Sequence, residues 1–180
     1  MKNLLLLTIV LLLFGCASIP AYHSAALNSD ISYDAGTDVT TYLAPNYGNV
    51  LLPGEWRRAV AYRTFNGQNY LENKNGDIIY VAVYKQSDFG FHKKYMTDIQ
   101  FLDMHQEWIK EHLSKQGITV SLEEKSDDYY ISRAYGDDVD NTTLAYAKGG
   151  LLKVYSVHKT SMGLAERKTL LMKIYRENLI

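Results

Sequence analysis

With five histidines and one cysteine, the chain has few residues able to do chemistry, and their spacing limits them further. His105 and His112 stand seven apart in a stretch of helical periodicity. A helix separates them by roughly 10.5 Å along its axis, too far for both to bind one zinc ion at bond lengths near ~2 Å. They read as partly buried histidines that pack and hydrogen-bond, with a proton-sensitive role as the alternative. Ser156 and His158 are two apart in an alternating stretch and so point the same way. They make a candidate Ser/His couple, with Asp127, Asp128 or Asp138 as orienting acid, but no Gly-x-Ser-x-Gly elbow occurs. Asp137, Asp138 and Asp140 follow Gly136 without the twelfth-position glutamate of a calcium loop, so they read as a solvated turn. Asn73, Asn75 and Asp77 are turn residues by the same reasoning. There is no phosphate-cradling glycine loop and no dinucleotide fingerprint. The expectation is no catalytic residue, no metal and no cofactor.

The elements that must position these groups follow from periodicity. Val50-Leu51-Leu52 is a short strand ended by the Pro53-Gly54 turn signal. Trp56 to Arg63 is a second. Asn69–Asn73 and Asp77–Lys85 form a hairpin about Asn75-Gly76, a pair suited to the positive φ of tight turns. Ile79, Val81 and Val83 give the second of these strands an aliphatic face. Ile78, Tyr80, Ala82 and Tyr84 give it a mixed one, so it is predicted to be central in its sheet. A helix is predicted from about Thr97 to Gln116, with Phe101, Leu102, Met104, Trp108, Ile109 and Leu113 on one arc and Gly117 as its stop. Strands at 118–123, 128–135 and 143–148 follow, then the Gly149-Gly150 turn into 151–159. A closing helix starts with Ser161 as N-cap and buries Leu164, Leu170, Leu171, Ile174 and Tyr175. Strands, helix, strands, helix, joined by hairpins, imply an α+β domain in which two main helices flank an antiparallel sheet.

Fifteen tyrosines are the compositional oddity of the chain. The long helix, through Phe101, Trp108 and Ile109, is expected to cover the Ile79/Val81/Val83 face. That leaves Tyr80, Tyr84, Tyr146 and Tyr155 together on the opposite face, at least two of them partly exposed, as the docking surface for a partner. Nineteen basic residues against twenty acidic ones give a net charge of −1, which argues against a nucleic-acid binder.

The N-terminus has a different plan. Lys2 and Asn3 precede an apolar run from Leu4 to Phe14, broken only by Thr8, and Gly15-Cys16 follows. This is the layout of a secretory signal, and it is too short to span a bilayer core of about 20 apolar residues. Leu13-Phe14-Gly15-Cys16 resembles the lipobox of bacterial lipoproteins, with Phe14 departing from the usual small or β-branched residue. The resemblance implies cleavage before Cys16 and acylation of its thiol, which holds the protein on a membrane. Because Cys16 is the sole cysteine, the remaining chain has no disulfide and no thiolate nucleophile. The predicted division is a signal peptide at 1–15, a lipidated flexible tether at 16–46, and one α+β domain at 47–180. Ala17 in place of aspartate after the lipidated cysteine implies, by analogy with enteric bacteria, the outer membrane.

Leu52-Pro53-Gly54-Glu55-Trp56, a hairpin, a long helix, further antiparallel strands and a terminal helix together resemble the PsbP-like sandwich, a group that includes envelope lipoproteins of the DcrB kind. The resemblance implies a fold and no activity. The expected function is a non-enzymatic binding or assembly module on the periplasmic side of the outer membrane, with another envelope component as partner. A periplasmic immunity or inhibitor protein is the second expectation. An envelope hydrolase using Ser156 and His158 is the third.

Overall fold

Ile78–Lys85 is apolar on both faces because it is hydrogen-bonded to a strand on each side and covered above and below. The computed structural model describes residues 31–44, 47–59, 69–158 and 160–179. Its strands are β1 (Ile31–Asp34), β2 (Val39–Ala44), β3 (Gly48–Pro53), β4 (Trp56–Arg58), β5 (Asn69–Asn73), β6 (Ile78–Lys85), β7 (Thr119–Lys125), β8 (Tyr129–Tyr135), β9 (Asp140–Lys148) and β10 (Leu151–Val157). Its helices are α1 (Asp98–Ser114) and α2 (Leu164–Glu177). A seven-stranded antiparallel sheet has the order β4-β5-β6-β10-β9-β8-β7, and β1-β2-β3 form a separate three-stranded antiparallel sheet. This is the α+β architecture expected, with the Asp77–Lys85 strand inside the sheet. The signal segment and the lipid attachment at Cys16 lie outside the described residues.

The tether expectation fails from Ile31 onward. Residues 31–44 form a hairpin that pairs with β3, so the folded unit includes them. Their buried positions, Thr40, Tyr42 and Ala44, alternate with more exposed ones, a period-2 pattern obscured by Thr-Thr and by the polar turn before it. Asp34 holds that turn, its Oδ1 accepting from the Gly36 N–H (2.8 Å) and its Oδ2 from Thr37 Oγ1 (2.9 Å).

The two faces of the large sheet are covered in the reverse of the expected way. Ile79, Val81 and Val83 lie with Leu171, Ile174 and Tyr175 of α2 and with Tyr42, Val50 and Leu52 of the small sheet. Helix α2 alone is too short to cover that face, and the small sheet, whose β1 and β2 the sequence pattern does not show, supplies the rest. Asn178, just beyond α2, stitches the two together: its side chain accepts from Leu51 N–H (2.9 Å) and donates to Leu51 O (2.8 Å). Burying Leu171 and Ile174 completely stabilises this layer by about 1.5–3 kcal/mol each.

Helix α1 instead covers the Tyr80/Ala82/Tyr84 face, through Phe101 and Leu102. Thr97 caps it, with its hydroxyl accepting from the Gln100 N–H while Gln100 Oε1 accepts from the Thr97 N–H. Asp98 then ties the helix start to the β9–β10 turn by accepting from the Gly149 N–H (3.1 Å) and from Gln86 Nε2. The stop falls at Gly117, whose φ of 76° suits only glycine without strain. For α2 the cap is Gly163 rather than Ser161. The Ser161 N–H and the Thr160 hydroxyl both donate to Asp77 Oδ1 (3.1 and 2.7 Å), which delays the helix by two residues.

Candidate ligand cavity

Strand register brings together side chains that are far apart in sequence. Tyr70 pairs with Tyr80, Tyr80 with Ser156, Ser156 with Thr143, and Thr143 with Ser132. These five hydroxyl-bearing residues form one row across five adjacent strands, on the α1 side. One step along, Asn141 pairs with Ala134, and Ala134 with Val120. His158 follows Val157, which pairs with Thr142, so it lies at the Asn141 level on the neighbouring strand.

Above this floor runs α1. His105, Trp108, Ile109 and Leu113 recur at helical spacing and face the sheet. Phe101 and Leu102 are fully packed, whereas Trp108, Ile109 and Leu113 are only half-buried. Floor residues in the middle of the sheet are Ser, Thr and Ala, too short to reach the helix. The result is a cavity of about 600 Å³ between α1, the Asp88–Phe91 turn and the sheet. It falls within the roughly 300–1,000 Å³ of small-molecule sites, which are mostly apolar with a few placed polar groups.

The walls are aromatic. Phe89 meets Phe101, His105 and Trp108 edge-on, with ring centroids 5.4, 5.3 and 5.9 Å away. His105 Nδ1 and Tyr130 OH share a hydrogen bond of 2.8 Å. Burial lowers the His105 pKa to about 3 and that of His158 to about 4, because a charged imidazolium there would lose its hydration. Both rings are therefore neutral at pH 7. Burial also raises the pKa of Tyr130 and Tyr80, whose hydroxyl pairs with that of Tyr84. Among the described residues no lysine or arginine lines the cavity.

The expected tyrosine surface does not exist as one face. Tyr80 and Tyr84 are on the α1 side, and both line the cavity. Tyr146 and Tyr155 are buried on the α2 side, where Tyr146 OH donates to Asn178 O (3.1 Å). Residues directly opposite across the strands share a face, and Tyr155 pairs with Val81 rather than with Tyr80. Tyr146 sits diagonally on that same face, since its neighbour Ala145 is the residue level with Tyr130.

Ser156 and His158 both line the cavity, yet they are not assembled as a catalytic couple. Ser156 Oγ bonds Thr143 Oγ1 (2.7 Å), and the His158 ring packs edge-on against Tyr70 and Tyr80. Asp128, a candidate orienting acid, accepts instead from Tyr175 OH of α2, while Asp127 and Asp138 are exposed. His105 is on the cavity, and His112 stacks on Trp108 at 5.5 Å. Among the described residues no three His, Cys, Asp or Glu side chains group as metal ligands. Asp137 and Asp138 form an exposed turn. Asp140 is held by Arg133 (2.7 Å) and Arg167 (2.8 Å), whose hydrogen bonds lower its pKa to about 2.

The floor residues Ser132, Asn141 and Thr143 went unnoticed in the sequence. Part of the signal was present: a two-residue Gly149-Gly150 turn places Thr143 opposite Ser156 once the hairpin is counted back from Lys148 and Leu151.

No family model matches the chain, and no curated protein does. Among solved structures it is similar to the solution structure of cyanobacterial PsbP (CyanoP) from Synechocystis sp. PCC 6803. The identity is 12%, the match covers 90% of this chain and 96% of that one, and the TM-score is 0.48. The neighbour is of the PsbP type named by the sequence resemblance. Among the described residues no helix is long and apolar enough to cross a membrane.

Proposed function

We propose that this chain is a non-enzymatic binding module that takes a small molecule between α1 and the seven-stranded sheet. In this reading a lipid on Cys16 holds it at the cell envelope, on the periplasmic side of the outer membrane, where it works with another envelope component. The observation that carries the binding role is the cavity: about 600 Å³, walled by aromatic and aliphatic side chains, with a row of hydroxyls as its floor. The unassembled Ser156/His158 couple favours binding over hydrolysis. The Leu13–Cys16 motif and the charged, apolar, small-residue plan before it support the anchor.

Native mass spectrometry of the full-length protein released from membranes tests both parts. The expected spectrum carries a diacylglyceryl adduct on Cys16 and a small noncovalent mass that disappears in Ala134→Phe, which fills the cavity. An unmodified Cys16 in a cleaved or uncleaved chain removes the anchor. A small mass retained unchanged in Ala134→Phe removes the cavity as its site.

A further inference from the structure

The two sides of the cavity differ in chemistry, and that difference constrains what fits between them. The helix side offers Ile109, Leu113 and the uncovered edge of Trp108, with Phe91 of the neighbouring turn beside them. The sheet side offers hydroxyls, an amide and an imidazole. Thr143 and Ser156 satisfy each other. Among the described residues, the Ser132 hydroxyl, the Asn141 side chain and the His158 ring nitrogens bond no protein group. They sit on β8, on β9 and just past the end of β10, three neighbouring strands. Strands are spaced about 4.8 Å apart, and Asn141 and Thr143 are separated by about 6.8 Å along β9. The unpartnered groups thus span a patch of about 7 by 10 Å, the footprint of one or two fused rings.

A plain alkyl chain on this floor would shut water away from three polar groups and give them nothing in return, which is unfavourable for each. A carboxylate or phosphate would lose its hydration with no lysine or arginine among the described lining residues to meet it. Both cavity histidines are neutral, so they supply no positive charge either. A cation would need an open aromatic face. The Trp108 ring is already stacked by His105 at 6.0 Å and by His112 at 5.5 Å. The carboxylate of Asp88, the acidic residue of the lining, accepts from the Lys85 N–H (3.1 Å).

We propose that the ligand is a neutral, flat ring compound with an apolar face against α1 and a hydroxyl or carbonyl edge hydrogen-bonded by Ser132, Asn141 and His158. This rests on the small-molecule reading of the cavity and adds the ligand's chemical class. Occupancy would give each of the three floor groups a partner without requiring any of the existing bonds to break.

A matched series tests it: naphthalene, 2-naphthol, 2-naphthoate and 2-naphthylmethylammonium, each titrated into the full chain in lipid nanodiscs. Binding is read from NMR shifts of the Trp108 indole and the Ile109 methyl groups. The expected order has 2-naphthol tightest, by about tenfold over each of the others, the equivalent of one good hydrogen bond. Ser132→Ala is expected to weaken 2-naphthol several-fold and leave naphthalene unchanged. Equal or tighter binding of naphthalene or of either charged compound overturns the neutral, hydrogen-bonding class and keeps the small-molecule cavity. No shift at Trp108 or Ile109 with any of the four overturns both.

Discussion

The two faces of the seven-stranded sheet are built from the same strands and do opposite things. On the α2 face, Ile79, Val81, Leu144, Tyr155 and Val157 are entirely buried, and a helix plus a second sheet press on them. On the α1 face, the same strands present Ser132, Thr143 and Ser156 at mid-sheet, and one helix spans them without filling the space. Alternation allows this, because successive residues of a strand serve different layers. Stability can then be concentrated in one layer while the other keeps room for a ligand. The difference also explains why the tyrosines divide: Tyr146 and Tyr155 pack and hydrogen-bond within the filled layer, and Tyr80 and Tyr84 border the open one.

Truncating one leucine on each helix separates the two faces by stability. Leu171→Ala removes a completely buried side chain and is expected to cost about 2–5 kcal/mol. Leu113→Ala, beside the existing cavity, is expected to cost less than half as much, because its side chain already lacks neighbours on one side. Urea denaturation of the two variants checks this, and equal losses would mean that the faces are packed alike. Enlarging residues gives the complementary result. Val81→Phe on the filled face is expected to cost about 1–3 kcal/mol through overpacking. Ala134→Val on the open face is expected to be neutral or slightly stabilising in the same denaturation assay.

The faces also separate by pH. His105 and His158 keep pKa values of about 3 and 4 when folded, below the ordinary 6.5. The unfolded chain therefore takes up protons first, and stability falls as pH drops from 6.5 toward 4. On the α2 side, Asp140 has its pKa lowered from 3.8 to about 2. Its contribution is full above 3.8 and is lost as pH falls through about 2. His158→Phe is expected to flatten the upper window and Asp140→Asn the lower one, read as denaturation midpoint against pH. Interchanged effects would contradict the assignment of charge states to the faces. A modest gain is expected at Thr142, whose Oγ1 is buried with no hydrogen-bond partner among the described residues. Thr142→Val is expected to stabilise by about 1 kcal/mol, visible as a rise in Tm.

Much of this architecture was legible because local patterns and packing agree. The 3.6-residue spacing of α1, the Asn75-Gly76 and Gly149-Gly150 turns and the double-sided apolar run at 78–84 each specify an element by themselves. β1 and β2 were missed because Ile31–Asp34 is mostly exposed and the alternation of Val39–Ala44 runs through two threonines. Without β1 and β2 the aliphatic face would need the longer helix, whereas α2 and the small sheet together cover it. The cavity was less legible still. Its floor depends on four strand pairings at once, and of these only the β9–β10 register follows from a turn length. Ser132 and Thr143 are ordinary polar residues, and Ser156 reads only as half of a Ser/His pair, until their strands are aligned.

One face of the seven-stranded sheet is filled, and the other is hollow and mostly apolar. A crystal structure of the full chain under xenon pressure tests it most directly, because xenon occupies apolar cavities and has no room in close-packed cores. The expected result is xenon density between Trp108, Ile109 and Val154, with none between α2 and Ile79, Val81 or Leu144. Xenon beneath α2, or an α1 face closed down onto Thr143 and Ser156 with no space for xenon, would contradict the account.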